Sequence, residues 1–293
     1  MTIKPRVELC VAGLVYFEVF VPGGVVPPPG EEVFVPSLRL GLGGGLNTAS
    51  VAAALGLDVV LAHPRGEGLA DSAIAHKTQQ LGIPTLNWAA QPNPAVSLVF
   101  SGLQDRSFVS AADFGALALC PDLPEARWIH VPGLLEARHL AEPLARARAT
   151  GARISVSGSW APDELAALST LTDQPWDLLI LNDKEAAFAA DDPKLAPDRL
   201  QGAARNVVVT LGPDGAFGRL DGAWVSADAV PVAAVDFTGA GDAFCAGLLA
   251  SLVIGVTGDA ALSHGCRVAA RLLTQAGGVV DDPATLADLK GIT

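Results

Sequence analysis

Residues 235–244, Val-Asp-Phe-Thr-Gly-Ala-Gly-Asp-Ala-Phe, hold side chains whose order could carry group-transfer chemistry. Gly239, Ala240 and Gly241 run into Asp242, and a long apolar stretch, 243–256, follows. This reads as a loop opening a helix. The N–H groups at a helix start have no helical partners and sit at the positive end of the dipole, so they form a site for an anion. Small residues let a bulky phosphate approach that backbone closely. A carboxylate beside such a site is out of place unless it has a task. Asp242 is suited to take a proton from a hydroxyl while the turn neutralises charge on a phosphoryl group in transfer. A glycine turn capped by Asp is the plain structural alternative.

Other polar clusters read first as local structure. In residues 41–56 a glycine-rich loop opens an alanine-rich helix that ends at Gly56. Leu46 or Thr48 falls where a dinucleotide fingerprint needs its third glycine, and no Gly-Lys-Ser/Thr occurs, so Rossmann and P-loop chemistry lose their sequence support. Asn182 suits a helix N-cap, with Glu185 completing a capping box. Thr210-Leu-Gly212-Pro-Asp-Gly215 suits a turn. The histidines show no metal-ligand spacing, and no Ser/His/Asp or Cys/His set is readable.

The chain has 293 residues, half of them apolar and 17% charged, which excludes a disordered protein. Its net charge of −12 argues against a nucleic-acid partner. An anionic nucleotide must therefore be held by local devices. The cysteines, Cys10, Cys120, Cys245 and Cys266, are scattered and read as reduced. The first residues lack the apolar segment of a signal peptide, and 243–256 is too short to span a bilayer. The expected location is the cytoplasm, with no membrane partner.

Residues 7–12 suit a first buried strand, and 16–21 and 32–40 two more, separated by the turn-rich 22–30. Strands at 58–62, 95–100, 107–110, 128–131, 153–156, 178–181 and 206–210 alternate with helices at 69–81, 138–149 and 162–171. A hairpin at 216–220 and 223–226 and helices at 239–254 and 259–275 close the series. This pattern predicts a doubly wound α/β fold, a mostly parallel sheet flanked by helices. The weakly alternating segments 16–21, 32–40 and 95–110 predict a small β-sheet lid. Pairing of lid strand edges predicts a homodimer. No composition break divides residues 1–293, so one domain is expected.

The segment Asp236-x-Thr238-Gly239-Ala240-Gly241-Asp242-x-Phe244 closely resembles the C-terminal signature of the ribokinase-like (PfkB) carbohydrate kinases, and the likeness covers nearly the whole chain in order. Gly43-Gly44-Gly45-Leu46-Asn47 looks like the N-terminal signature, where a glycine turn and Asn meet the acceptor. An Asn side chain both donates to and accepts from hydroxyls. Asn182 and Glu185 resemble the N-x-x-E pair that organises Mg²⁺ through water near ATP. Thr210, Gly212 and Gly215 match the nucleotide loop, with Gly241 beside the phosphates. Asp236 and Thr238 match positions that hold a monovalent cation such as K⁺, with 276–278 completing the site. Asp242 matches the catalytic base, with the Gly239–Asp242 backbone as anion hole.

Two departures bear on the acceptor. Relatives usually carry Asp where this chain has Glu18, and phosphosugar kinases often carry Lys where it has Gly44. The acceptor half has few cations, chiefly Arg39, Arg65 and Arg106. The resemblance therefore implies ATP-dependent phosphorylation of a small neutral sugar, ribose- or fructose-like. A nucleoside on Tyr16, Phe17 and Trp88, a sugar acid or phosphosugar on Arg106, and a non-catalytic ligand sensor stay open.

Overall fold

The computed structural model describes residues 6–23, 25–89, 93–101 and 106–291. Its strands are β1 Val7–Ala12, β2 Val15–Pro22, β3 Arg39–Gly44, β4 Val59–Arg65, β5 Thr85–Ala89, β6 Val96–Ser101, β7 Arg106–Ala111, β8 Ala126–Val131, β9 Arg153–Ser157, β10 Trp176–Asn182, β11 Ala204–Thr210, β12 Ala216–Leu220 and β13 Ala223–Ala227. The helices are α1 Gly45–Ala54, α2 Leu69–Gln80, α3 Leu134–His139, α4 Ala141–Ala149, α5 Pro162–Ala167, α6 Asp183–Ala190, α7 Ala196–Arg199, α8 Ala240–Val253 and α9 Gly258–Leu272.

The larger sheet runs β13-β12-β11-β10-β9-β8-β1-β4-β5, parallel except for the antiparallel β11, β12 and β13 pairings. Period-2 alternation along β1 divides the core. Leu9 and Val11 face a cluster built with α1, α8 and α9, while Cys10 and Ala12 face one built with α3 to α7. The sheet is covered on both faces, as the alternating sequence requires. The smaller sheet runs β3-β2-β6-β7. Chain leaves β1 at Gly13 and enters β2 two residues later, so the small sheet begins where the parallel strands end their C-terminal run.

Four expectations are corrected. Residues 32–38 are not strand; β3 begins only at Arg39, because Pro36 and the exposed approach give no regular pairing. The expected glycine loop 41–44 is itself strand, pairing Tyr16 with Gly43 and Glu18 with Gly41. The helix expected at 138–149 starts at Leu134 and breaks at Leu140 into α3 and α4. The helix expected at 162–171 stops at Ala167, followed by a 3-10 turn, Leu168–Thr170. β5 and the short α7 had no expected counterpart.

Candidate active site

α1 and α8 start close together at the C-terminal edge of the parallel strands. Gly239 caps α8 at φ +75, and a Cβ there would lie 2.6 Å from Gly278 Cα. Only glycine serves that turn. Among the described residues no side chain caps α8, and Ala240 N makes only a long 3.5 Å hydrogen bond to Phe237 O, so the first N–H groups of the helix are poorly served. Asp242 is the third residue of α8 and Asn47 the third of α1. Asn47 Nδ2 donates to Asp242 Oδ2 at 2.9 Å, and Thr48 Oγ1 donates to Asp242 Oδ1 at 3.2 Å. Asn47 is buried, and its Oδ1 has no hydrogen-bond partner among the described residues. A buried acceptor in that condition calls for a donor from a ligand. A hydroxyl would meet it.

Glu18 on β2 is buried, with its carboxylate lying over Gly43; a Cβ on Gly43 would stand 2.2 Å from Glu18 Oε1. Gly44 has φ +66 and a Cβ position 2.5 Å from Leu14 O, so the backbone itself excludes lysine there. Gly45 N donates to Leu14 O at 2.9 Å and starts α1. A cavity of about 430 Å³ lies between the small sheet, α2 and residues 276–281; Glu18, Phe20, Arg39, Lys77 and Gly278 line it. Both of its cations are engaged, Arg39 with Asp236 and Lys77 with Asp281, each at 2.9 Å. Arg106 opens β7, and its side chain lies outside the described residues.

Two side chains had no place in the sequence reading. Thr48 was hidden because nothing distinguishes it from an ordinary residue of the first turn. Glu136 on α3 is buried, and its Oε1 accepts from Leu14 N at 2.6 Å. Burial pushes its carboxyl up to about 8; the Leu14 hydrogen bond opposes that rise and the Asp242 charge adds to it. A carboxyl raised in the folded state holds its proton there after the unfolded chain has released it. The stability it contributes is whole below its ordinary value and is lost as pH rises through about 8, at about 1.4 kcal/mol per unit. Glu136→Gln is therefore expected to flatten the fall in melting temperature between about pH 5 and about pH 8. An unchanged slope in that thermal series would remove the buried proton.

Asn182 and Glu185 form a complete capping box at the start of α6. Glu185 N donates to Asn182 Oδ1 at 2.8 Å, Asn182 N to Glu185 Oε2 at 2.9 Å, and Ser159 N to Glu185 Oε1 at 3.0 Å. Burial raises the Glu185 carboxyl, and these donors offset part of the rise. Among the described residues no three His, Cys, Asp or Glu cluster to cage a metal. Mg²⁺ takes few protein ligands and keeps its waters and substrate phosphates, so Glu185 fits it as an outer contact. Thr210 ends β11 beside Asn182 in register. Gly212 and Gly215 take φ +58 and +90 in the turn that follows, and a Cβ on Gly215 would meet Ala227 O at 2.0 Å.

Asp236 and Thr238 meet as well, in a different way from the one expected. Asp236 Oδ1 accepts from Thr238 N at 2.9 Å and Thr238 Oγ1 at 2.6 Å. Its Oδ2 accepts from Gly277 N and Arg39 Nη2, both at 2.9 Å.

A doubly wound sheet with a small four-stranded sheet at one end, and two helix starts meeting there, defines the ribokinase-like α/β class. Residues 9–285 match the pfkB family carbohydrate kinase family, and the chain belongs to it. It is a transferase, a carbohydrate kinase using ATP as co-substrate. Solved structures agree on the fold. Arabidopsis thaliana ribokinase complexed with ribose and ATP has a TM-score of 0.76 at 17% identity, covering 98% of this chain and 99% of that one. The Methanocaldococcus jannaschii nucleoside kinase scores 0.79 at 16%, over 98% and 99%. Escherichia coli phosphofructokinase-2 in complex with potassium scores 0.74 at 19%, over 97% and 98%.

Proposed function

We propose that this kinase moves the γ-phosphoryl group of ATP to a hydroxyl of a small neutral sugar, with residues 1–293 acting as one unit and the β3-β2-β6-β7 sheet as its lid. The observation that carries this reading is the Asn47–Asp242–Thr48 constellation at the start of α8. Two hydrogen bonds orient the Asp242 carboxylate, and the orphaned Asn47 Oδ1 supplies an acceptor for the same or a neighbouring hydroxyl. Asp242 takes the proton as the hydroxyl attacks in line. The Gly239-Ala240-Gly241 backbone bears charge that develops on the phosphoryl oxygens. A magnesium ion carried by the nucleotide, with Glu185 reaching it through water, would neutralise further charge there. Thr210, Gly212 and Gly215 form the nucleotide loop. Glu18 grips acceptor hydroxyls beside Gly43, and closure of the lid keeps water from competing for the phosphoryl group.

Charge favours a neutral acceptor. Within the cavity beside the small sheet Arg39 and Lys77 are both spent on carboxylates, and a second phosphate bound there needs cations that are not. ADP release with ATP and Mg²⁺ across neutral sugars, sugar acids, phosphosugars and nucleosides tests the reading. Turnover is expected with neutral sugars; saturable sugar binding without turnover would make the protein a sensor.

One face of the lid exposes apolar side chains that stand in register across its strands, Leu40 at 62%, Leu98 at 39% and Val109 at 62%. Covering them with a second lid makes a homodimer. Light scattering is expected to give twice the chain mass, falling to one with Val109→Glu; a wild-type monomer would overturn the pairing. Buried free cysteines support a cytoplasmic location, and no helix among the described residues is long and apolar enough to cross a membrane.

A further inference from the structure

The resemblance places a monovalent cation beside Asp236 and Thr238, and the residues there do not fit one. We infer that the guanidinium of Arg39 takes that cation's place, so the loop leading to α8 carries its own fixed positive charge and has no need of K⁺.

Two contacts hold the guanidinium on the spot, and Gly277 borders it. Arg39 Nη2 lies 2.9 Å from Asp236 Oδ2. A Cβ on Gly277 would stand 3.0 Å from Arg39 Nη1, so the guanidinium lies directly on the 276–278 segment that was expected to complete a cation site. Its outer face stacks on Phe20, 3.5 Å from the ring centroid. The carboxylate is served from all sides, by Thr238 at Oδ1 and by Gly277 and Arg39 at Oδ2. An alkali ion would have to displace those donors while standing against a group that never loses its charge.

The placement also joins the lid to the phosphoryl site. Arg39 opens β3 of the lid, whereas Asp236 lies six residues before Asp242 on the segment that enters α8. Gly277 precedes Gly278, which backs on Gly239. A free ion in this place would neutralise the loop whatever the lid does. An arginine on the lid neutralises it only while β3 is seated, so Arg39 is a positioning residue for the α8 start. This consequence for turnover rests on the proposed role of Asp242. The substitution of charge does not.

The test begins without an acceptor. Melting temperatures of the full chain are measured in KCl and in tetramethylammonium chloride at equal ionic strength. Wild type is expected to melt at the same temperature in both. Arg39→Ala is expected to melt lower in tetramethylammonium and to regain roughly 2–4 °C selectively in K⁺, as a vacated site fills. Once an acceptor is known, turnover of the variant should rise several-fold with K⁺ while the wild type stays level. Selective stabilisation of wild type by K⁺ overturns the inference, and this arm stands even if Arg39→Ala does not fold. A folded Arg39→Ala that ignores K⁺ also overturns it, because no cation site then lies behind the guanidinium. Failure of turnover with the thermal result intact would count against the kinase reading alone.

Discussion

Asp242→Asn is expected to keep the fold and nucleotide binding while turnover falls about 10²–10⁴-fold, the usual worth of a general base. The geometry favours a clean outcome. The amide has the shape of the carboxylate it replaces. Its oxygen can accept from Asn47 Nδ2, and its NH₂ can donate to Thr48 Oγ1, which reverses its own role. The network survives and the basic oxygen is lost. The loss should therefore fall on kcat, with KM for the acceptor little changed, because the group acts on the proton in transit. Equal melting temperatures establish that the fold is kept. A variant with full turnover would remove Asp242 from the reaction, and a rise in KM at unchanged kcat would make it a binding group.

The sequence makes some of this arrangement visible for simple reasons. Short apolar runs alternating with helical stretches can be buried only in a sheet covered on both faces, so the order of most strands and helices is legible, the short β5 and α7 excepted. The start of α8 is legible because glycines before an acidic residue and an apolar run leave few other structures. Convergence is another matter. Asn47 and Asp242 are separated by most of the chain, and no spacing rule shows that they meet. Thr48 is invisible for the same reason. Glu136 is hidden because a Glu in an Ala/Arg/Leu-rich helix reads as a solvated face, and only the fold turns it inward against Leu14 N. From the sequence alone Arg39 reads as a cation available to an acceptor. Its pairing with Asp236 depends on where β3 begins, and the expected strand at 32–40 missed that. Glu185 shows the opposite case, since the capping box read from the sequence is the hydrogen-bond pattern observed.

Gly239→Ala and Gly241→Ala are expected to separate the architecture of the α8 start from its chemistry. At Gly239 an added methyl group meets a backbone that cannot yield, Gly278 Cα at 2.6 Å, and φ +75 disfavours any side chain. The strained conformation alone costs about 1–3 kcal/mol. Gly278 in turn packs against the Asn47 amide, 2.6 Å from where its own Cβ would stand, so any shift of it disturbs Asn47. Stability and turnover should therefore fall together. Gly241 differs in both respects. Its φ is ordinary, a Cβ there meets nothing within 4 Å, and alanine favours a helix over glycine by roughly 1 kcal/mol. Stability should hold or rise. If the first turn of α8 receives the transferring phosphoryl group, the new methyl projects from that turn and crowds its N–H donors, whose loss elsewhere costs roughly 10²–10³-fold in rate. Denaturation and turnover measured on the two variants should move in the same direction at Gly239 and in opposite directions at Gly241. A Gly241→Ala enzyme of wild-type turnover would place the phosphoryl group away from this turn.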